Sequence, residues 1–246
     1  MNKDCELKEP QAIGTSCEAG RMRLEAGIAC VVHELRNPLS AIRAGLKVLE
    51  TATDHDRLAQ ARELIARQVA YLSRLVDDLV DLSRLSQGKV ALVKTRVCLK
   101  QIVDQALETA GGSIQNGGHT VKLALPDPPM EVFCDAQRLV QVFSNLIENA
   151  AKYTPKGGAI AVSGSMSSDT AEISVVDNGV GIPQERLEEI FLQFAQLPES
   201  SDGIAGLGLG LYIVRLIVHE HGGTVTAKSN GRGNGSEFVV RIPREE

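Results

Sequence analysis

Tryptophan is absent from this 246-residue chain, and aromatic residues of all kinds make up 3% of it. The few that exist therefore matter most where they fall beside a motif. No apolar run approaches the ~20 residues that a membrane-spanning helix requires. Met1 to Gly20 is polar and lacks the apolar core of a secretory signal. A cytoplasmic protein with no membrane segment is the expectation. The five cysteines (Cys5, Cys17, Cys30, Cys98, Cys134) are odd in number and form no C-x-x-C pair. That excludes a disulfide framework and a zinc ribbon, and predicts reduced thiols. No H-E-x-x-H string, no Walker G-x-x-x-x-G-K-[ST] sequence and no tandem repeat occurs. Strong basic character is missing too. A net charge of -5 argues against nucleic acid as a partner. What remains is ordinary: 43% apolar and 23% charged residues, with a length that suits one or two domains.

Met1–Gly20 shows no periodicity and reads as a flexible tail. From Ile28 a heptad pattern sets in. Ile28, Leu35, Ile42 and Leu49 are seven apart, and Val32, Leu39 and Leu46 interleave. Thr51-Ala52-Thr53-Asp54 interrupts it with capping oxygens. Leu58, Ala61, Ile65, Gln68, Leu72, Leu75, Leu79 and Leu82 carry a second run. Two helices with such narrow stripes, joined by a short turn, form an antiparallel hairpin. A lone hairpin buries too little, so two copies are expected to pack as a four-helix bundle. The pattern thus predicts a homodimer through residues 21–88. It stops near Ser86-Gln87-Gly88, which puts a boundary at 86–95 and a second domain over 95–246.

That second part alternates irregularly. Helices are expected over Val97–Ala110, ended by Gly111-Gly112, over Asp135–Lys152 with Asp135 as cap, over Gln184–Ile190 and over Leu207–His221. Strands are expected over Val121–Leu125, and as hairpins over Ala159–Ser165 with Ala171–Asp177 and Thr224–Ser229 with Ser236–Ile242. Without strict β-α-β alternation, the pattern predicts an α+β sandwich with helices on one face of a mostly antiparallel sheet.

Three strings carry chemistry. The first is His33-Glu34-Leu35-Arg36-Asn37-Pro38-Leu39. Val32 and Leu35 lie on the apolar seam, so His33 projects from its flank. A free imidazole, with a pKa of about 6.5, keeps one nitrogen lone pair near neutral pH. Glu34 is the adjacent carboxylate that can hold the proton of the other nitrogen. Pro38 removes a backbone donor to the carbonyl of Glu34, which predicts a bend after the histidine. Of the other histidines, His55 falls in the turn, His119 borders a strand, and His219 and His221 end a helix, where a cation suits the dipole.

The second string is Asn145-Leu146-Ile147-Glu148-Asn149-Ala150-Ala151-Lys152-Tyr153. Asn145, Asn149 and Lys152 share one helical face. Amide oxygens suit a hard cation such as Mg²⁺. Lys152 offers charge to a phosphate and Tyr153 a ring to a base. The third set comprises two glycine boxes. In Asp177-Asn178-Gly179-Val180-Gly181, a carboxylate at a strand end can accept the exocyclic amine of adenine while glycines let backbone wrap the ring. In Gly206-Leu207-Gly208-Leu209-Gly210, backbone N–H groups at a helix start form an anion site.

Taken in order, these strings resemble the sensor histidine kinases of two-component systems. The likeness runs over residues ~21–243 and joins a phosphoacceptor hairpin to the ATP-binding fold of gyrase, Hsp90 and MutL. The resemblance implies that His33 is the phosphoacceptor, Glu34 its acid/base partner, and Asn37 the residue orienting water for dephosphorylation of the partner protein. It implies that ATP and Mg²⁺ bind the second domain. Asn149 would ligate Mg²⁺ with the ATP phosphates, and Asn145 would help position it. Lys152 would touch phosphate and Tyr153 adenine. Asp177 would take the adenine amine, with Gly179, Gly181 and Ile182 lining that pocket. Gly206, Leu207, Gly208 and Gly210 would border the phosphates at the end of a mobile lid near Ala195–Ala205, after Phe191 and Phe194. Gly231, Gly233 and Gly235 before Ser236 match the last glycine-rich turn. Hydrolysing relatives carry glutamate at the place of Asn145. An amide is no base, so ATP is expected to wait for His33.

The implied function is an ATP-dependent histidine kinase that passes its phosphoryl group to an aspartate of a response-regulator receiver domain. A partner-directed phosphatase on the same fold and a nucleotide-sensing dimeric scaffold are the alternatives. The intact His33-Glu34 pair disfavours the scaffold, and Asn145 disfavours an ATP-driven clamp. The sequence carries no sensory or receiver domain, so either it is an excised core or a separate protein senses. Transfer within a subunit or across the dimer depends on the handedness of the turn at 51–56.

Overall fold

The computed structural model describes residues 12–85, 92–127, 130–196 and 207–244. The chain divides into two compact units, Met1–Ser73 and Arg74–Glu246.

The first unit holds α1 (Ala12–Thr51) and most of α2 (His55–Leu85). Helix α1 starts inside the segment expected to be a tail, and Met1–Gln11 lie outside the described residues. Ala19, Arg21, Met22, Leu24 and Glu25 are strong helix formers, so propensity carries the helix beyond the apolar stripe. Asp54 starts α2, its carbonyl accepting from Leu58 N–H at 3.1 Å and its carboxylate from Asp56 N–H at 3.3 Å. Helix α1 runs unbroken through Pro38. Glu34 lies opposite Tyr71 and Gly45 opposite Ile65, so the two helices are antiparallel. A Cβ on Gly45 would stand 2.8 Å from Ile65 Cγ1, and its absence lets the helices close. Leu35, Ile42 and Leu49 are half-buried, whereas Val32, Leu39 and Leu46 are about half exposed.

The second unit begins within α2. Arg138 and Gln141 donate to the buried Asp81 at 2.8 and 2.6 Å, and Arg74 pairs with Glu148 at 2.8 Å. These bonds group the last turns of α2 with the second unit. The stretch 86–91, where the sequence puts the start of the boundary, lies outside the described residues.

The unit then runs through β1 (Thr95–Cys98), α3 (Leu99–Thr109), α4 (Gly111–Gly117), β2 (Thr120–Ala124), β3 (Glu131–Cys134) and α5 (Ala136–Tyr153). It continues through β4 (Ala159–Met166), β5 (Thr170–Asp177), two 3₁₀ turns (Gln184–Arg186, Glu189–Phe191), α6 (Gly210–Glu220), β6 (Thr224–Lys228) and β7 (Ser236–Pro243). A five-stranded sheet has the order β2-β4-β5-β7-β6, parallel only between β2 and β4. The expected α+β sandwich is the fold observed. Its core is Leu139, Val142, Phe143, Leu146 and Ile147 of α5 with Ile213, Val214 and Ile217 of α6, closed by Ile160, Val162, Ile173, Val175 and Val240 of the sheet.

Five local expectations need correction. Gly111-Gly112 does not end the helix; a break at Ala110 redirects it into α4, and the left-handed stop is Gly118, φ 63°. Val97 and Cys98 are strand, because β1 pairs antiparallel with β3, Thr95 facing Cys134. Gln184–Ile190 forms two 3₁₀ turns rather than one helix, and α6 starts at Gly210 because Gly208 is left-handed, φ 67°. His221 is buried, and burial holds its pKa below the ordinary value. Its Nε2 accepts from Asp135 N–H at 3.0 Å while Nδ1–H donates to Ile217 carbonyl at 2.8 Å. Both bonds together require a neutral ring, so it is no dipole-capping cation.

Candidate nucleotide and phosphoacceptor sites

Asp135 caps α5 by accepting from Arg138 N–H at 3.1 Å. The helix buries one face in the core and leaves Asn145, Asn149, Lys152 and Tyr153 half-buried along another. Asn149 and Tyr153 line a cleft with Asp177, Gly181, Ile182 and Val180. Asp177 ends β5 at 6% exposure. Its carboxylate accepts from Gly179 N–H at 2.8 Å, from Ser236 N–H at 3.3 Å and from the Ser236 hydroxyl. A buried carboxylate fixed by three donors presents a rigid acceptor to an amine entering the cleft. Burial pushes the Tyr153 phenol up, and Lys152 Nζ lies 5.1 Å from the centre of that ring.

The glycines answer to geometry. A Cβ on Gly179 would stand 2.4 Å from Tyr153 carbonyl oxygen. Gly181 has φ 72° and backbone of Gly231 where a Cβ would be, at 2.2 Å. Gly208 holds φ 67° against Ala195 carbonyl, beside Phe194, whose φ of 61° is the one non-glycine left-handed value among the described residues. Asn145 Nδ2 donates to Gly210 carbonyl at 3.4 Å, which joins the asparagine helix to the second glycine box. The Leu207 side chain is buried and not in the cleft lining. Gly206 and lid positions 197–205 lie outside the described residues.

Sequence reasoning missed Ser236 as the partner of Asp177, and Arg186, Ile190, Leu211 and Phe238 in the lining. Ser236 faces Asp177 across the β5–β7 register, which no local signal encodes. Phe238 packs edge-on against Phe191 at 6.3 Å, closing the cleft floor. The amide oxygen of Asn149 fits a hard cation that takes its remaining ligands from phosphates and water. No cluster of three acidic, His or Cys groups that would hold a metal by protein alone occurs among the described residues.

In the first unit, His33 is exposed on α1 and Glu34 is half-buried. Asn37 Nδ2 donates to His33 Nδ1 at 3.4 Å, and Tyr71 hydroxyl donates to Glu34 Oε2 at 2.6 Å. His33, Glu34 and Asn37 are neighbours on α1, but the carboxylate bonds Tyr71 of α2 and the amide bonds the histidine.

Two family models match. The His Kinase A (phospho-acceptor) domain matches residues 28–88, and the histidine kinase-, DNA gyrase B- and HSP90-like ATPase matches residues 134–246. The chain belongs to the sensor histidine kinases of two-component systems. It is 32% identical over 245 residues to histidine protein kinase DivJ of Caulobacter vibrioides, covering 98% of this chain and 40% of that protein. It is 32% identical over 220 residues to sensor protein KdpD of Escherichia coli, covering 89% of this chain and 24% of that protein. Histidine kinase ThkA, solved in complex with response regulator TrrA, superposes with TM-score 0.66 at 25% identity, covering 97% of this chain and 68% of that one. The chain spans from a quarter to two fifths of the length of these two curated relatives. The ATPase-type match implies an ATP site in the second unit. No described helix is long and apolar enough to cross a membrane.

Proposed function

We propose that this chain autophosphorylates His33 with ATP and transfers the phosphoryl group to an aspartate of a response-regulator receiver domain. The observation that carries the proposal is the buried Asp177, held by three donors in a cleft with Tyr153 and Asn149, in a chain that also exposes His33 beside a carboxylate. Asp177 accepts the adenine amine, and Tyr153, Gly181 and Ile182 line the base. Asn149 would hold Mg²⁺, which when bound would neutralise phosphate charge. Gly208 and Gly210 offer backbone N–H groups, and Lys152 a charge. His33 then attacks the γ-phosphorus through a bare ring nitrogen. The bond to the β-bridging oxygen breaks, ADP leaves, and the proton on the other ring nitrogen is shared with Glu34. Asn145 stands where a hydrolysing enzyme needs a base, and its amide cannot take a proton. ThkA, crystallised with a response regulator, supports the choice of partner.

The half-exposed Val32, Leu39 and Leu46 support dimerisation through residues 21–88, with the hairpin as the first domain and 95–246 as the catalytic one. Dependence on ATP makes the cytoplasm the site of action. A second reading, dephosphorylation of the partner, is favoured by Asn37, whose amide already borders the histidine ring.

The test is incubation with Mg²⁺ and γ-labelled ATP, beside His33→Gln. Acid-labile, alkali-stable label on the wild type alone is the expected result. Equal label on both proteins, or none on either despite ATP binding, sinks the kinase reading.

A further inference from the structure

On the reading of His33 as phosphoacceptor given above, its acid/base carboxylate has to meet the imidazole. In the hairpin it meets something else. The described partner of the Glu34 carboxylate is the Tyr71 hydroxyl on α2, at 2.6 Å. The described partner of His33 is the Asn37 amide nitrogen, at 3.4 Å from Nδ1. An amide nitrogen only donates, so Nδ1 must present its lone pair to it. A neutral ring then carries its proton on Nε2, the nitrogen farther from the backbone. Attack through that distal nitrogen needs the opposite tautomer, with the proton on Nδ1 and a carboxylate to hold it there.

We propose that Tyr71 is a positioning residue that withholds Glu34 from His33, so that the resting hairpin keeps the histidine in its non-nucleophilic tautomer. Phenol to carboxylate is a charge-assisted bond, stronger than a neutral one, and both groups are half-buried. Tyr71 sits thirty-seven residues from Glu34, on the other helix of the hairpin. Any shift of α2 along or about α1 therefore lengthens this bond, while the bond from Asn37, on the same helix as His33, moves with the ring. Release of Glu34 lets its oxygen accept a hydrogen bond from Nδ1–H: a proton enters at Nδ1 from solvent as the one on Nε2 leaves to solvent, and Nε2 becomes bare.

The experiment combines ¹⁵N spectra of the imidazoles with labelling rates, on the full chain, for wild type, Tyr71→Phe, Glu34→Gln and the double variant. His33 signals are assigned by their loss in His33→Gln. The wild type is expected to show mainly the Nε2–H form, and Tyr71→Phe to move the ring toward Nδ1–H. The initial rate of phosphohistidine formation should rise roughly three- to tenfold in Tyr71→Phe, a fraction of what acid–base catalysis supplies. The KM for ATP should not move. In the Glu34→Gln background, Tyr71→Phe should change neither tautomer nor rate. A merely structural tyrosine would give an effect that persists in that background. The proposal is overturned by an unchanged tautomer ratio, by a slower Tyr71→Phe, or by a rate change that survives loss of Glu34. Should no variant label at all, the kinase reading fails while the tautomer shift still decides the role of Tyr71.

Discussion

Asp177 is the residue on which the proposed adenine site turns. Its carboxylate has no freedom to turn, because Gly179 and Ser236 pin both oxygens. Asp177→Asn keeps the volume but turns an NH₂ toward N–H donors, and it loses the charge. Hydrogen bonds to a charged group contribute about 1.5–3 kcal/mol, so nucleotide affinity should fall roughly 10- to 100-fold. Calorimetric titration with a non-hydrolysable ATP analogue measures this. An affinity within about twofold of wild type would remove Asp177 from the adenine site. Its place in the sequence, at a strand end before glycines, made it legible. Ser236 was not, because its role exists only once β7 has found its register against β5.

Between elements, the last turns of α2 meet α5 across a crowd of carboxylates. Asp81 is satisfied by Arg138 and Gln141, and Glu148 by Arg74. Asp78 has no such hydrogen-bonded match among the described residues. Burial, then the charges of Asp81, Glu148 and Asp77, push its pKa to about 6 against the relief of Arg74. A carboxyl whose pKa is raised on folding is held protonated by the folded state alone between its two pKa values. Stability is therefore lost as pH rises from about 3.8 to about 6, and the full penalty stands above that. Asp78→Asn should stabilise the second unit at pH 8 by on the order of 1–3 kcal/mol and give little at pH 4. Thermal melts at the two pH values check it, and a gain of equal size at both would refute it. Nothing local announces this cluster: the aspartates of α2 belong to no motif, and α5 lies some sixty residues away. The short β1–β3 ribbon escaped for the same reason, since its four-residue strands owe their existence to each other.

At the scale of the whole molecule, the apolar stripes of both long helices were plain from spacing alone, because a heptad needs no partner to be seen. One copy leaves Val32, Leu39, Leu46, Val69 and Val76 at 47–51% exposure. Burying the exposed half of each such side chain is worth roughly 1 kcal/mol, the driving force for the proposed pairing of two hairpins. Leu39→Arg with Leu46→Arg should convert a sedimenting dimer to monomer while nucleotide affinity, a property of the second unit, stays. A wild-type chain that sediments as a monomer at tens of micromolar would defeat the four-helix-bundle reading. The glycine boxes and the asparagine helix were equally legible, because tight backbone approach and one-turn spacing are written locally. Tyr71 was not, because a helix face does not say which residue of its neighbour it will meet.

The placement of tyrosine has an optical consequence. With no tryptophan in the chain and three tyrosines, two of the three emitters stand at Glu34 and in the cleft with Asp177. Phenol emission is quenched by a bonded carboxylate and altered by a stacked base. The unlabelled protein thus carries its own two-channel reporter. Release of Glu34 should brighten it, and nucleotide entry should change it through Tyr153, so both events can be followed by ultraviolet fluorescence in real time.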